Sequence, residues 1–156
     1  MTEAVLGRRL GAEMAARRNR LRTAYLKRVF HDDQDDTWVA LTDAANLWVS
    51  LHTADPGLAG DQNTSEATYG GYTRISVARS SSAWTLTGAD QMAPTGAVLF
   101  PVSTSSGQQA ITHYGIGLEE TGAGRLLWSF QLLDVRTVVS DYQPQFLAGT
   151  LITTAA

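Results

Sequence analysis

The sequence predicts a mainly β protein, an antiparallel β-sandwich or jelly-roll-like domain preceded by an N-terminal α-helix. After residue 46, about eight short stretches alternate apolar and polar residues, which is the period of a half-buried strand. Gly, Pro, Asn, Asp and Ser separate these stretches, and almost no helical periodicity lies between them. Such a succession is typical of antiparallel sandwiches and barrels and unlike that of βαβ folds.

The composition limits the classes of protein to which the chain can belong. A length of 156 residues suits one domain with an appended arm. The absence of cysteine excludes disulfides and thiolate metal sites. No apolar run approaches the roughly 20 residues of a membrane-spanning helix, and the basic N-terminus lacks the apolar region of a signal peptide. We therefore expect a protein that is made and folded in the cytoplasm, with no membrane partner.

The predicted N-terminal helix spans residues 3–30 and differs in charge from the rest of the chain. Its apolar residues recur at helical spacing at Leu6, Leu10, Met14, Leu21, Tyr25 and Val29. Residues 1–30 carry a formal charge of +6 and residues 31–156 carry −9, which together give the net charge of −3. The basic side chains are Arg8, Arg9, Arg17, Arg18, Arg20, Arg22, Lys27 and Arg28.

These basic residues make the segment a candidate partner-binding arm. Charge asymmetry of this kind indicates a segment that meets an acidic surface. Three interpretations stay open: the helix packs on its own domain, docks onto another subunit, or binds nucleic acid. We do not expect nucleic acid, because the basic residues surround the helix and no repeated pattern of aromatic residues between them suggests base stacking.

An acidic linker, His31-Asp-Asp-Gln-Asp-Asp36, follows the helix. Its spacing resembles a calcium loop, but Thr37 and Asp43 stand where such a loop has glycine and a bidentate glutamate. We therefore divide the chain into a basic helix with its acidic linker, residues 1–36, and a β-sandwich domain, residues 37–156.

The stretch 47–57 is predicted to be a strand that ends in a tight turn. Leu47, Val49 and Leu51 alternate with polar or aromatic residues, so one set can face a core. The turn is predicted from Asp55-Pro56-Gly57, which combines a side-chain acceptor, a fixed φ and a residue that tolerates positive φ.

The rest of the chain alternates between predicted strands and loops. Strands are expected at residues 38–41, 72–78, 84–87, 97–100, 111–118, 125–133, 137–140 and 146–153. Residues 58–71 have no continuous apolar pattern and are predicted to be a long surface loop and a possible interaction site. Gly115 and Gly117 leave room on one face of their strand for another backbone or a bulky side chain.

No combination of residues predicts an active site, a metal site or a cofactor. His31, His52 and His113 lack the spacing of metal ligands. The pair Gly115 and Gly117 lacks the third glycine and the following helix of a dinucleotide fingerprint. We therefore expect no enzyme and no cofactor.

The tryptophans leave a second class of function open, because aromatic faces bind the apolar faces of sugars. The four tryptophans are Trp38, Trp48, Trp84 and Trp128. Trp84 and Trp128 lie in alternating stretches and are expected in the core.

The β region also contains a recognisable succession of motifs. In order they are LHTADPG (51–57), GGYTRISV (70–77), LFP (99–101), ITHYGIGL (111–118), GRLLWSFQL (124–132) and FLAGTLITT (146–154). Over about residues 47–154 the succession resembles a family of tailed-phage virion proteins, known as tail-fibre or head-fibre proteins and found also in gene transfer agents. The motif positions are Leu51, His52, Thr53, Asp55, Pro56, Gly57, Gly71, Tyr72, Arg74, Phe100, Pro101, Thr112, His113, Gly115 and Ile116.

The resemblance implies a virion structural protein without catalytic residues. We expect a capsid-bound base or adaptor that anchors a head fibre or spike on a phage or gene-transfer-agent particle; the alternative is a tail-fibre or receptor- or carbohydrate-binding module. The expected partners are a capsid, portal or tail protein, a fibre or spike protein, and further copies of the chain. The expected location is the virion, assembled in the bacterial cytoplasm.

Overall fold

Nine strands form the regular structure of the described part of the chain. The computed structural model describes residues 26, 27, 29, 30, 45–87, 91–151, 153 and 154. The strands are β1 (Asn46–His52), β2 (Ile75–Ala78), β3 (Trp84–Leu86), β4 (Gln91–Pro94), β5 (Val98–Leu99), β6 (Gln109–Gly117), β7 (Leu126–Val138), β8 (Gln145–Phe146) and β9 (Thr153–Thr154).

The strands pair into three sheets. The largest has four strands in the order β2-β1-β6-β7, the second has three in the order β3-β4-β9, and the third pairs β5 with β8. Every ladder between these strands is antiparallel. The prediction of a mainly β, antiparallel protein is therefore confirmed, while the jelly-roll arrangement stays a prediction.

Both faces of β1 are buried, which is why this strand organises the largest sheet. Leu47, Val49 and Leu51 lie in the hydrophobic core, as their alternation predicts. On the opposite face, Ser50 and His52 are fully buried as well. A strand buried on both faces requires a second cover besides the core.

Residues 58–71, which follow β1, supply this cover and are named the cover segment. Residues 58–71 are predicted to be a surface loop, but Gln62, Ala67 and Tyr69 within it are buried. The backbone is attached to β1 at two places, where Thr53 N–H donates to Ser65 O (2.8 Å) and Ala67 N–H donates to Leu51 O (2.8 Å). The prediction of a surface loop is therefore wrong for these residues, since a packed cover shows no strand-like or helical period.

β7 is the edge strand of the largest sheet and contains a wide bulge. Its register with β6 passes from His113↔Gln131 directly to Ile111↔Arg136, so residues 132–135 of β7 lie opposite Thr112 alone. Such bulges bend an edge strand outward and interrupt its pairing. In the described part of the chain, β7 pairs with β6 and with no second strand.

The residues before β1 that the structure describes contribute to the core. Leu26, Lys27, Val29 and Phe30 are helical, and Leu26, Val29 and Phe30 have no exposed surface. The Phe30 ring centroid lies 4.3 Å from that of Trp84. The remainder of the predicted helix 3–30 and the predicted strand 38–41 fall outside the described residues.

Candidate functional site

The His52 side chain is fixed by two hydrogen bonds inside the protein. Its Nδ1 lies 2.9 Å from the carbonyl oxygen of Thr64, and because a carbonyl only accepts, Nδ1–H is the donor. Its Nε2 lies 2.8 Å from Ser50 Oγ and therefore accepts from that hydroxyl. Burial lowers the pKa of His52 below its ordinary value, against a smaller opposing effect of the bond to Thr64. A serine–histidine pair of this kind resembles a nucleophilic dyad, but both side chains have no exposed surface.

Gly115 allows this pair to form. It lies directly across from Ser50 in the β1–β6 ladder. A Cβ atom at position 115 would lie 2.7 Å from both Ser50 Oγ and His52 Nε2, and 2.6 Å from Leu126 Cδ1. The close approach expected at this glycine is confirmed, and the neighbour is the buried polar pair.

Gly117 plays the same role one position further along the face. A Cβ atom there would overlap the amide group of Gln62. Gln62 Oε1 accepts from Glu119 N–H (2.9 Å), and the Gln62 N–H donates to Gly124 O (2.9 Å). The cover segment is thereby joined to the connection between β6 and β7.

Arg74 joins the same two segments through its guanidinium group. The side chain is about 5% exposed and forms a bidentate ion pair with Glu66, with Nε–Oε1 at 2.6 Å and Nη2–Oε2 at 2.7 Å. It also donates to Asn63 Oδ1 at 2.9 Å, Glu119 O at 3.0 Å and Gly122 O at 2.8 Å. Arg74, which directly precedes β2, therefore holds the cover segment against the β6–β7 connection.

Tyr72 extends this contact back to β1. Its hydroxyl donates to Glu66 Oε1 (3.0 Å) and accepts from the backbone N–H of Leu51 (3.0 Å). Burial strongly raises the pKa of Tyr72, so the phenol stays neutral. Tyr72, Arg74 and Glu66 thus form one partly buried network next to β1.

The turn after β1 has the predicted chemistry. Asp55 Oδ1 accepts the N–H of Gly57 at 2.9 Å, and Gly57 has a φ of +70°. Pro56 between them is buried. The predicted side-chain acceptor and positive φ are confirmed, and the backbone turn itself follows at residues 58 and 59, where Gly60 N–H donates to Gly57 O at 3.2 Å.

The aromatic residues of the motifs pack in the hydrophobic core or against it. Phe100 is 1% exposed and its ring stacks on Tyr72 at a centroid distance of 6.2 Å. The Tyr69 hydroxyl donates to Pro101 O (3.2 Å), and burial raises the pKa of Tyr69 to about 12. The Tyr114 ring lies 5.2 Å from that of Phe146, at the base of the groove described below.

The structure thus places the predicted motif positions together, and their contacts are with other parts of the same chain. Leu51 and Ile116 lie in the core, Thr53 bonds to the cover segment, and Gly71 takes a φ of +88°. Thr112 Oγ1 lies 2.8 Å from His113 Nδ1 on β6. Sequence reasoning identified these positions individually but not the network that connects them.

Of the predicted basic arm, the structure describes Lys27 alone, which is half-buried. Arg8, Arg9, Arg17, Arg18, Arg20, Arg22 and Arg28 lie outside the described residues. Among the tryptophans, Trp84 is fully buried as expected, while Trp128 is half-buried beside Phe30 at 5.1 Å between ring centroids.

A surface groove of about 650 Å³ lies beside β7 and has no counterpart in the sequence-based predictions. Leu51, Ile111, Tyr114 and Phe130 contribute to its lining, together with β7 residues 131–134 and 136 and residues from 142 to 150. Two of its exposed side chains are large and apolar, Leu133 at 103% and Leu147 at 61%, and they lie beside exposed polar residues that include Asp134 and Arg136. Exposed apolar side chains around a groove indicate a protein-binding surface.

Two further features bear on the chemistry of the described residues. No group of three or more His, Cys, Asp or Glu side chains lies close enough to hold a metal ion. The helical residues that the structure describes form no segment long and apolar enough to cross a membrane.

Comparison with known proteins gives one family. The family model described as "Podophage GP4 fiber I protein gp80" matches residues 23–154. No curated protein matches the chain.

Proposed function

The chain belongs to the family of podophage GP4 fiber I protein gp80 and is thereby a fibre-related structural protein of a phage virion, and from this premise we propose that it is a capsid-bound base or adaptor for a head fibre or spike. In this proposal the β domain is a rigid body that performs no reaction. The basic segment before it attaches to the particle, and the exposed apolar surface of the domain contacts other virion proteins.

The burial of the motif side chains is the observation that supports a structural role. His52 is fully buried and Arg74 is about 5% exposed, and their bonds end on other groups of the same chain. A catalytic or receptor-binding motif needs polar groups that a ligand can reach. These groups instead fix the cover segment on the sheet, which suits a component that must keep its shape in an assembly.

The charge distribution supports attachment through the N-terminal segment. Residues 1–22 contain six of the eight basic side chains of residues 1–30, and the family match begins at residue 23. A basic segment outside the shared domain is a suitable contact for an acidic surface of a capsid or portal.

Deletion of residues 2–22 tests this attachment. The deletion leaves Leu26, Val29 and Phe30 in place, so these described core side chains are retained. In phage that depend on a plasmid-borne copy, we expect the truncated protein to be missing from purified particles while its circular dichroism spectrum stays that of a β protein. The matched control is Arg125→Glu, a charge reversal on the β domain. Normal incorporation of the truncated protein would contradict the arm.

Electron microscopy of particles with a labelled protein tests the capsid against the tail. Label on the head supports the proposal, and label confined to the tail fibres overturns it in favour of a tail-fibre component. For the carbohydrate-binding alternative, Trp48 is the better candidate of the two half-buried tryptophans, because Trp128 packs against the hydrophobic core. Glycan binding that is lost in Trp48→Ala would favour that alternative.

A further inference from the structure

We propose that the outer edge of β7 binds the same edge of a second copy of this chain. The two strands would run antiparallel, related by a two-fold axis that passes beside Val135. This inference concerns association between copies and does not depend on how the protein is attached to the particle.

The edge has the properties of a surface that needs a partner. Residues 133–137 are all exposed, and they include Leu133 at 103% and Val135 at 60%. The bulge at residues 132–135 has one residue of β6 opposite it, and the described chain places no strand on the other side of β7. An unpaired strand edge with exposed apolar side chains is a template for pairing with another strand.

The sequence around Val135 is complementary to itself when reversed. In antiparallel pairing about this residue, Val135 lies opposite Val135 of the second copy, and Asp134 lies opposite Arg136 of the second copy. The two-fold axis repeats the charged pair, so each contact has two opposite-charge pairs. Directly opposed side chains have Cβ atoms roughly 4.5–5.5 Å apart, within reach of an ion pair.

The geometry of one copy agrees with this arrangement. Arg136 Nη2 lies 3.8 Å from Asp134 Oδ2, so the two charged side chains point to the same face of the strand. Their side chains are 63% and 77% exposed, which leaves both free to meet a second chain. Val135 lies between them in the strand, on the other side of the pleat, where Val135 of each copy covers the other.

A homotypic contact explains the opposite signs of the two charges better than a protective role does. Both a bulge and charged side chains can protect a strand edge against pairing, but the charges repel an identical edge only where they face a like charge in the second copy. Asp134 and Arg136 flank Val135 symmetrically with opposite sign, so an identical antiparallel edge is attracted.

Charge reversals test the pairing through its symmetry. The variants are Asp134→Arg, Arg136→Asp and the double variant, with Arg125→Asp as the matched control outside the edge. In either single variant, like charges face each other twice across the axis. In an equimolar mixture of the two single variants, and in the double variant, every pair is again of opposite sign.

Analytical ultracentrifugation of the full chain over a concentration series measures the result. We expect the measured mass of wild type and of the Arg125→Asp control to be twice the 16.8 kDa of one chain. Each single variant should raise the dimer dissociation constant about tenfold or more. The mixture and the double variant should recover the dimer, and high salt should weaken this recovery.

Two results would overturn the proposal. One is wild-type protein that stays at the mass of one chain throughout the series, which would assign the edge to a different protein. The other is dissociation in the single variants without recovery in the mixture, because reciprocal pairing across a two-fold axis requires that recovery.

Discussion

At the scale of single residues, the buried polar side chains are more informative than the apolar ones. His52 has its two nitrogens committed to Thr64 O and Ser50 Oγ, and burial lowers its pKa. The folded protein therefore holds this ring neutral at a pH at which an unfolded chain would protonate it. The contribution of His52 to the free energy of unfolding therefore depends on pH.

The first prediction concerns acid. The unfolded chain takes up a proton at His52 below about pH 6.5, whereas the folded chain resists it. The contribution of His52 to the free energy of unfolding therefore has its full value above about pH 6.5. It declines as the pH falls below that value, by at most about 1.4 kcal/mol per pH unit. Urea unfolding of wild type and His52→Gln from neutral to mildly acidic pH measures the difference between their free energies of unfolding. We expect this difference to become smaller as the pH falls.

His113→Gln is the control for this prediction. It removes a histidine from the neighbouring strand that is directly paired with His52 but leaves the Thr64 and Ser50 contacts in place. If the difference in free energy of unfolding from wild type became smaller towards acid in both variants, the pH effect would not originate at His52.

The second prediction concerns Arg74. Replacing it by Ala removes the bidentate partner of Glu66, whose side chain is 15% exposed, and leaves a poorly solvated carboxylate. We expect a loss of about 3–5 kcal/mol in the free energy of unfolding, with a smaller loss for Arg74→Lys, which keeps the charge but not the fork.

Arg125→Ala removes an exposed guanidinium and should change the stability by less than about 0.5 kcal/mol. Chemical denaturation of the three variants checks the order. An Arg74→Ala protein as stable as the Arg125→Ala protein would show that the partly buried network does not hold the cover.

At the scale of elements, the molecule depends on how the cover segment lies on β1 and β6. Gly115 and Gly117 provide the space, the Ser50–His52 pair and Gln62 fill it, and Arg74 closes it from the side. The contacts of Gly115 with this pair, of Gly117 with Gln62 and of Arg74 with Glu119 join segments that are distant in sequence. The cover is therefore an integral layer of the fold, although it contains no strand of the three sheets.

The third prediction tests this layer with Gly115→Ala. The added methyl group would lie 2.7 Å from Ser50 Oγ and His52 Nε2, so the pair must separate or the cover must lift. We expect a loss of about 1–3 kcal/mol in the free energy of unfolding. Gly96→Ala is the matched control, because a Cβ there meets no atom within 4 Å; equal losses in both variants would contradict a tight approach at Gly115.

Element by element, the sequence predicted strands where the alternation was strong and failed where other forces decide. β1 and β6 are close to their predicted ranges, since both contain β-branched and aromatic residues in alternation. β4 was missed because Gln-Met-Ala-Pro has no alternation and ends in proline. Two predicted strands are one continuous β7, and residues predicted as a single strand near the end form β8 and β9 with a turn at Gly149, whose φ is +72°.

The candidate site, like the strands, is predictable from the sequence only in part. The motif residues were found from the sequence, but their convergence was not, because Glu66 and Gln62 lie in a segment without periodicity. The groove beside β7 was not predicted either. It lies beside the bulge at residues 132–135, and a change of register between two strands leaves no trace in the alternation of one of them.

At the scale of the whole molecule, the N-terminal segment and the β domain share one core. Leu26, Val29 and Phe30 are fully buried, and Arg79 Nε donates to Val29 O at 2.6 Å. The boundary that matters for an attachment experiment therefore lies before Leu26, where the family match also begins.

The fourth prediction compares two truncations. A protein without residues 2–30 loses three buried apolar side chains, each worth about 2–5 kcal/mol, whereas a protein without residues 2–22 keeps them. We expect cooperative thermal unfolding, followed by circular dichroism, in the shorter truncation and a greatly destabilised or unfolded protein in the longer one. Equal unfolding temperatures for both would contradict a shared core.

The position of Phe30 has a practical consequence for such experiments. Its ring lies 4.3 Å from the indole of Trp84 and 5.1 Å from that of Trp128. Separation of the helical residues from the sheets would let water reach these indoles and shift their fluorescence emission to longer wavelengths. The purified protein thus has an intrinsic optical reporter of the contact of residues 26, 27, 29 and 30 with the sheets, and this contact can be followed without a dye.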